Sequence, residues 1–208
     1  MSSEDQQLRV QSLHRYPVKS MLGESVGELF VDAGGAHGDR RLALTDESSG
    51  RVASAKQARL WRALLQCSAA EDGGRVTIQM PDGTVISADE DDVDQRLSEL
   101  LGRPVRLSDR RQERAAIERA DPEQVLDRGV DAEVDAPLLE LAQLTPGHSF
   151  TDLAPLHAIT TATLEQIGAE TARYRPNLVI ATPPGYPAYD ENLWTDRVLV
   201  VGGTKLRA

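Results

Sequence analysis

Aromatic residues are scarce in this chain, at 4% of 208 positions, so a core has to be assembled mostly from Leu, Val, Ile and Ala. Cysteine is scarcer still. Cys67 is the one thiol, which excludes an internal disulfide and any multi-cysteine zinc or iron–sulfur centre and points to a reducing compartment. Positive charge is also in deficit: 23 Lys and Arg against 33 Asp and Glu leave a formal charge of −10. A surface of that sign repels phosphodiester backbones, so nucleic acid is excluded as a general partner. No apolar run approaches the ~20 residues that a bilayer span requires. The opening stretch, Met1 to Gln7, is polar and acidic, unlike a signal or transit peptide. These absences lead us to expect a cytoplasmic protein with no membrane partner.

What is present is 40% hydrophobic residues, enough for one large domain or two small ones packed together. The first hundred residues read as mostly β. Leu8, Val10 and Leu13 lie in a stretch ending at Tyr16-Pro17, and Ser25 to Asp32 alternates through Val26, Leu29 and Val31. Leu42 and Leu44 share a strand face. Arg75 to Met80 and Thr84 to Ser87 flank Pro81-Asp82-Gly83, a hairpin signal, because Pro presets φ and Asp-Gly tolerates left-handed turn positions. From Asp92 as N-cap, Val93, Leu97, Leu100 and Leu101 fall on one helical face, and Gly102 stops the helix. Val105 to Leu107 then reads as a strand.

Residues 109–136 are dense in Arg, Asp and Glu and read as a charged connector, either a solvated linker or a loosely held helix. Beyond it, Thr160 or Thr161 caps a short helix closed by Gly168, and Arg175 to Ala181 is an apolar, central strand. A last strand covers Val198 to Val201. The expected fold class is α+β, mainly β, with a strand-rich region over 1–108 (β-barrel-like, by the family resemblance given below), the connector over 109–136, and a second portion with short helices over 137–208.

Three strings bear polar chemistry. In Tyr16-Pro17-Val18-Lys19-Ser20 a strand ends in a cation and a hydroxyl. Such a pair either binds an anion, charge from the ammonium and a fixed hydrogen bond from the hydroxyl, or is a solvated strand end. In Gly38-Asp39-Arg40-Arg41, Asp39 either orients a guanidinium for a phosphate or makes an ordinary turn with a surface ion pair. Arg173-Tyr174-Arg175-Pro176-Asn177 leads into the apolar strand, so Arg175 and Asn177 are partly desolvated and need partners, in a ligand or in an internal capping network. His14, His37, His148 and His157 share no metal-ligand spacing, and no Ser–His–Asp signature, P-loop or dinucleotide fingerprint occurs.

Taken in order, the YPVKS and GDR strings, the segment Asp152 to Thr160 with Thr163-Leu164, RYRPNLVI, and Tyr189 to Trp194 followed by Val201-Gly202 resemble the MOSC family. The likeness spans roughly residues 8–206 and is greatest to members with the N-terminal β-barrel region, such as the mitochondrial amidoxime-reducing component and its bacterial relatives. It implies a molybdenum cofactor (molybdopterin), and at family level pyridoxal phosphate binding. It also implies reduction of N-hydroxylated small-molecule substrates with electrons from a redox partner protein. Carried over by position, Lys19, Ser20, Arg40, Thr163, Arg175 and Asn177 are the cofactor-binding residues. The family's molybdenum ligand is the cysteine of an Arg-Cys pair beyond the last strand. This sequence ends at Lys205-Leu206-Arg207-Ala208, before that position, and Cys67 matches no ligand position. The resemblance therefore implies an incomplete MOSC barrel with an open edge at Val198 to Val201, and Cys67 is expected to be a small buried hydrophobe. The rival class is a non-catalytic module binding a pterin, another phosphorylated ligand or a protein partner through the same basic pocket, and a third reading is a fragment with no independent function.

Overall fold

Short strands dominate because the alternating pattern seldom runs more than a few residues before Gly or Pro breaks it. The computed structural model describes residues 8–208, so the polar stretch Met1 to Gln7 lies outside the described residues. In chain order the elements are β1 (Arg9–Arg15), β2 (Glu24–Val26), β3 (Val31–Asp32), β4 (Gly35–Ala36), β5 (Ala43–Asp46), α1 (Ala58–Trp61), β6 (Ser68–Asp72), β7 (Arg75–Gln79), β8 (Val85–Ser87), α2 (Val93–Leu101) and β9 (Val105–Ser108). Then come β10 (Ala116–Glu118), α3 (Pro122–Arg128), β11 (Leu138–Glu140), β12 (Ala158–Thr160), α4 (Thr161–Ile167), α5 (Thr171–Tyr174), β13 (Leu178–Ala181), β14 (Val198–Val201) and β15 (Thr204–Arg207). The fold is α+β and mainly β, as expected. Among the described residues the strands form small open sheets and ribbons, with no closed barrel. No helix among them is long and apolar enough to cross a membrane.

The chain divides into two compact units. The larger comprises Arg15–Glu24 and Phe30–Pro155; the smaller comprises residues 8–14, Ser25–Leu29 and Leu156–Ala208.

In the larger unit, β6, β7 and β8 form a three-stranded antiparallel sheet, and Gly83 (φ 87°) turns the β7–β8 hairpin while Asp82 Oδ1 accepts from Thr84 N at 2.9 Å. Helix α2 lays Val93 and Leu97 into a cluster with Leu64, Ile78 and Ile86. Full burial of a side chain of that kind contributes about 1.5–3 kcal/mol. The helix ends in a left-handed Gly102 (φ 65°), with Arg103 N bonding back to Ser98 O at 3.2 Å. Asp92 takes the N-cap position, as expected. Asp92 makes no side-chain cap bond, because its carboxylate accepts from Arg96 Nε at 2.8 Å one turn on. The helix also guards the outer edge of β9: Leu107 N donates to Asp94 Oδ1 at 2.7 Å and Val105 N to Ser98 Oγ at 3.0 Å.

The Ser25 to Asp32 alternation is not one strand but ends at Val26 and resumes only at Val31. Within 109–136, β10 pairs antiparallel with β11 and buries Ile117 to 1% exposure beside Ala43, Val52 and Phe150. Part of the charged stretch is thus core. Helix α3 follows, capped by Asp121, whose carboxylate accepts from Glu123 N and Gln124 N, and it buries no residue of its own.

In the smaller unit the sheet order is β12-β13-β1-β2, with β13 parallel to β12 and antiparallel to β1. Strand β13 is central, which is why Leu178, Val179 and Ile180 are all buried. Thr160 caps α4 through its hydroxyl, which accepts from Thr163 N at 3.2 Å, and Gly168 (φ 67°) closes the helix. Strand β14 pairs antiparallel with β15 in a hairpin, so one edge of Val198–Val201 is covered where an open edge was expected. Val198 and Val200 are nonetheless 60% and 70% exposed.

Candidate functional site

In the larger unit the two strings around Lys19 and Arg40 are laced together by backbone. Arg40 N donates to Tyr16 O at 2.7 Å, Leu42 N to Pro17 O at 3.0 Å and Lys19 N to Leu42 O at 2.8 Å. Tyr16 N in turn donates to Asp39 Oδ1 at 2.8 Å. Ser20 and Arg40 both sit at positive φ, 69° and 45°, a local cost held in place by this network. Arg40 stacks over the Tyr16 ring at 4.8 Å and pairs with Asp39 Oδ2 at 2.5 Å. Asp39 therefore does orient a guanidinium, and it is itself buried.

Lys19 is not a solvated strand end. It is 5% exposed, and its ammonium donates to Phe150 O at 2.9 Å and Asp152 Oδ1 at 2.5 Å. The segment carrying those acceptors is fixed at Arg40, since Phe150 N donates to Arg40 O at 2.8 Å. The second oxygen of Asp152 faces another cation, Lys56 Nζ, at 3.0 Å. Burial pulls the Lys19 pKa down to about 8; Asp152 pulls the other way, and Arg40 and Lys56 add to the lowering. Burial alone would raise the Asp152 pKa, but Lys19 and Lys56 outweigh it and hold the carboxyl well below the usual range. Ser20 Oγ accepts from Ala55 N at 3.1 Å, which ties the Lys-Ser pair to the segment bearing Lys56.

Thr163, Arg175 and Asn177 lie in the smaller unit. Asn177 is fully used inside it: Oδ1 accepts from His157 N at 3.1 Å, and Nδ2 donates to His14 O at 3.3 Å. Its amide thus joins β1 to the residue before β12. Thr163 Oγ1 donates to Glu191 Oε2 at 2.9 Å and accepts from Tyr189 N at 2.7 Å. Arg175 occupies a left-handed position (φ 47°) closing α5 and is half-buried.

Ammonium, guanidinium and hydroxyl groups fit the phosphate end of a pterin cofactor. The metal end does not fit. Molybdenum needs a soft thiolate, whereas Cys67 is fully buried in the α2 cluster, and burial pushes its thiol up to about 11. Among the described residues no group of three or more His, Cys, Asp and Glu is placed to hold a metal ion. A separate hollow of about 360 Å³ is lined by Arg41, Arg75 and Arg106. Asp89 and Asp109 line it as well, and two of its arginines face carboxylates, Arg75 with Asp89 and Arg106 with Glu47.

Sequence reasoning missed Lys56 and Asp152 as parts of the site. The available signal was rarity: the chain has only three lysines, Lys19, Lys56 and Lys205. No curated protein matches the chain. A family model described as the MOSC N-terminal beta barrel domain matches residues 7–117, a span that includes Lys19, Ser20, Arg40 and Lys56. That match covers more than half of the sequence, and the chain accordingly belongs to the MOSC N-terminal beta barrel domain family.

Proposed function

We propose that the protein binds the phosphate end of a molybdopterin-type cofactor through Lys19, Ser20 and Arg40. One observation carries the reading: in a chain of net charge −10, a buried ammonium and a second cation meet on the two oxygens of a single carboxylate. Two cations drawn to one oxyanion are what a phosphate site requires. Thr163, Arg175 and Asn177 enter the proposal through the family resemblance alone. When bound, such a cofactor supplies redox chemistry, and the resemblance names reduction of N-hydroxylated substrates with electrons from a partner protein. This chain's own groups bind and orient: Lys19 supplies charge, Arg40 a planar guanidinium held by Asp39 and Tyr16, and Ser20 fixes the loop.

A second reading, a non-catalytic pterin- or phosphate-binding module, is favoured by the burial of Cys67, which presents no accessible thiolate among the described residues. The two part on cofactor content. Protein purified from a cofactor-producing host is oxidised, assayed for pterin fluorescence and analysed for molybdenum. Pterin with about one molybdenum per chain supports the oxidoreductase. Pterin without metal supports the module. No pterin, with none taken up on reconstitution, refutes the oxidoreductase and a pterin-binding module alike.

A further inference from the structure

We infer that Asp152 is an internal stand-in for the ligand's oxyanion and that Lys56 is the third cation of the site. The incoming phosphate or sulfate takes the carboxylate's place between Lys19 and Lys56. This rests on the anion site proposed above and deepens it by assigning what holds that site when no ligand is bound.

The geometry points this way on four counts. First, Asp152 spends one oxygen on each ammonium, Oδ1 on Lys19 and Oδ2 on Lys56, as a phosphate would with two of its oxygens. Second, the two lysines are held unequally. Lys19 is buried and also bonded to Phe150 O, whereas the Lys56 and Asp152 side chains are 33% and 38% exposed. Asp152 must leave both lysines to admit a ligand, and it and Lys56 are the side chains that reach solvent. Third, the backbones are pinned, so side chains move without unfolding. Lys56 O accepts from Ala120 N at 3.0 Å, Lys56 N donates to Ser54 Oγ at 3.3 Å, and Asp152 O accepts from Ala142 N at 3.1 Å. Fourth, two of the chain's three lysines converge here, 37 positions apart in sequence (56 − 19), although arginines supply 20 of the 23 cations (23 − 3). A compact ammonium suits a single oxygen, where a guanidinium prefers two.

The carboxylate has two effects. It neutralises two neighbouring ammonium groups that would otherwise repel each other, and it competes with any external anion for them. Removing its charge therefore tightens anion binding, and removing Lys56 weakens it.

The test uses the whole chain and inorganic sulfate, followed by calorimetry, for wild type, Asp152→Asn, Lys56→Gln and Lys19→Met, with thermal melts confirming that each folds. The expected results are about tenfold tighter binding for Asp152→Asn and about tenfold weaker for Lys56→Gln, each the worth of one charge-assisted hydrogen bond. Sulfate that binds wild type and is lost on Lys19→Met, with either Asp152→Asn or Lys56→Gln at wild-type affinity, overturns the inference and leaves the site standing. Sulfate that binds neither wild type nor a folded Asp152→Asn sinks the site and the inference together. Lys56→Gln is independent of Asp152, so the inference stays testable even if Asp152→Asn does not fold.

Discussion

Raising the pH should discharge Lys19 near pH 8, where an ordinary lysine would hold its proton to about 10.5. The cause is burial of the ammonium, with Arg40 and Lys56 adding repulsion and Asp152 only partly offsetting it. Sulfate is the right probe because it stays dianionic across the whole range. At pH 9.5, about 3% of Lys19 remains protonated if its pKa is about 8. An anion that needs the charged form then binds up to ~30-fold more weakly than at pH 6.5. The limit is the worth of one charge-assisted hydrogen bond, about 1.5–3 kcal/mol, or roughly 10- to 150-fold. The expected loss is thus about 10- to 30-fold, with its midpoint near pH 8. Chain labelled with 13C-lysine gives both quantities from the Cε resonances, which number three and are assigned by Lys19→Arg and Lys56→Arg. Folding follows the same linkage. The folded pKa lies below the unfolded one, so the native state binds fewer protons between about 8 and 10.5. This group's cost to stability is therefore fully present below that window and is relieved as pH rises through it. A Lys19 resonance that titrates near 10.5, or sulfate affinity flat to pH 10, would refute the reasoning.

Three further outcomes test the framework. Asn177→Ala leaves His157 N and His14 O without their amide partner and should cost about 2–4 kcal/mol in urea unfolding. Gly102→Ala meets no atom within 4 Å, so only the left-handed φ is at stake; thermal unfolding should show about 1 kcal/mol of destabilisation. Cys67 should react with a thiol reagent at least ~100-fold faster in urea than in the native protein, because the thiolate is the nucleophile and the native thiol is buried with its pKa raised; equal rates would mean the α2 cluster is open.

Local chemistry made much of the fold legible. The Pro81-Asp82-Gly83 turn and the apolar stripe Val93, Leu97, Leu100 and Leu101 closed by Gly102 are short-range signals, and both elements stand where those signals put them. The charged stretch 109–136 misled because charge density describes the average exposure of a segment. It says nothing of one residue such as Ile117, whose burial depends on pairing with Leu139. Asp92 does start the helix, but its carboxylate reaches on to Arg96 instead of capping the first turn. At the site, the unusual strings around Lys19 and Arg40 were visible, but the burial of Lys19 was not, since its acceptors lie 131 and 133 residues away at Phe150 and Asp152. Lys56 stands in Ser54-Ala55-Lys56-Gln57, which carries no pattern of its own, and only the fold sets it beside Lys19.

The central claim is that Lys19 is the principal charge of an oxyanion site, and the most direct test is calorimetric titration of wild type and Lys19→Met with sulfate at pH 6.5, alongside urea midpoints. The account predicts binding by wild type, a loss of about tenfold or more on Lys19→Met, and a folded variant. Equal affinity in the two proteins, or an unfolded variant beside a wild type that binds no sulfate, would contradict it and leave Lys19 as the buried partner of Asp152 alone.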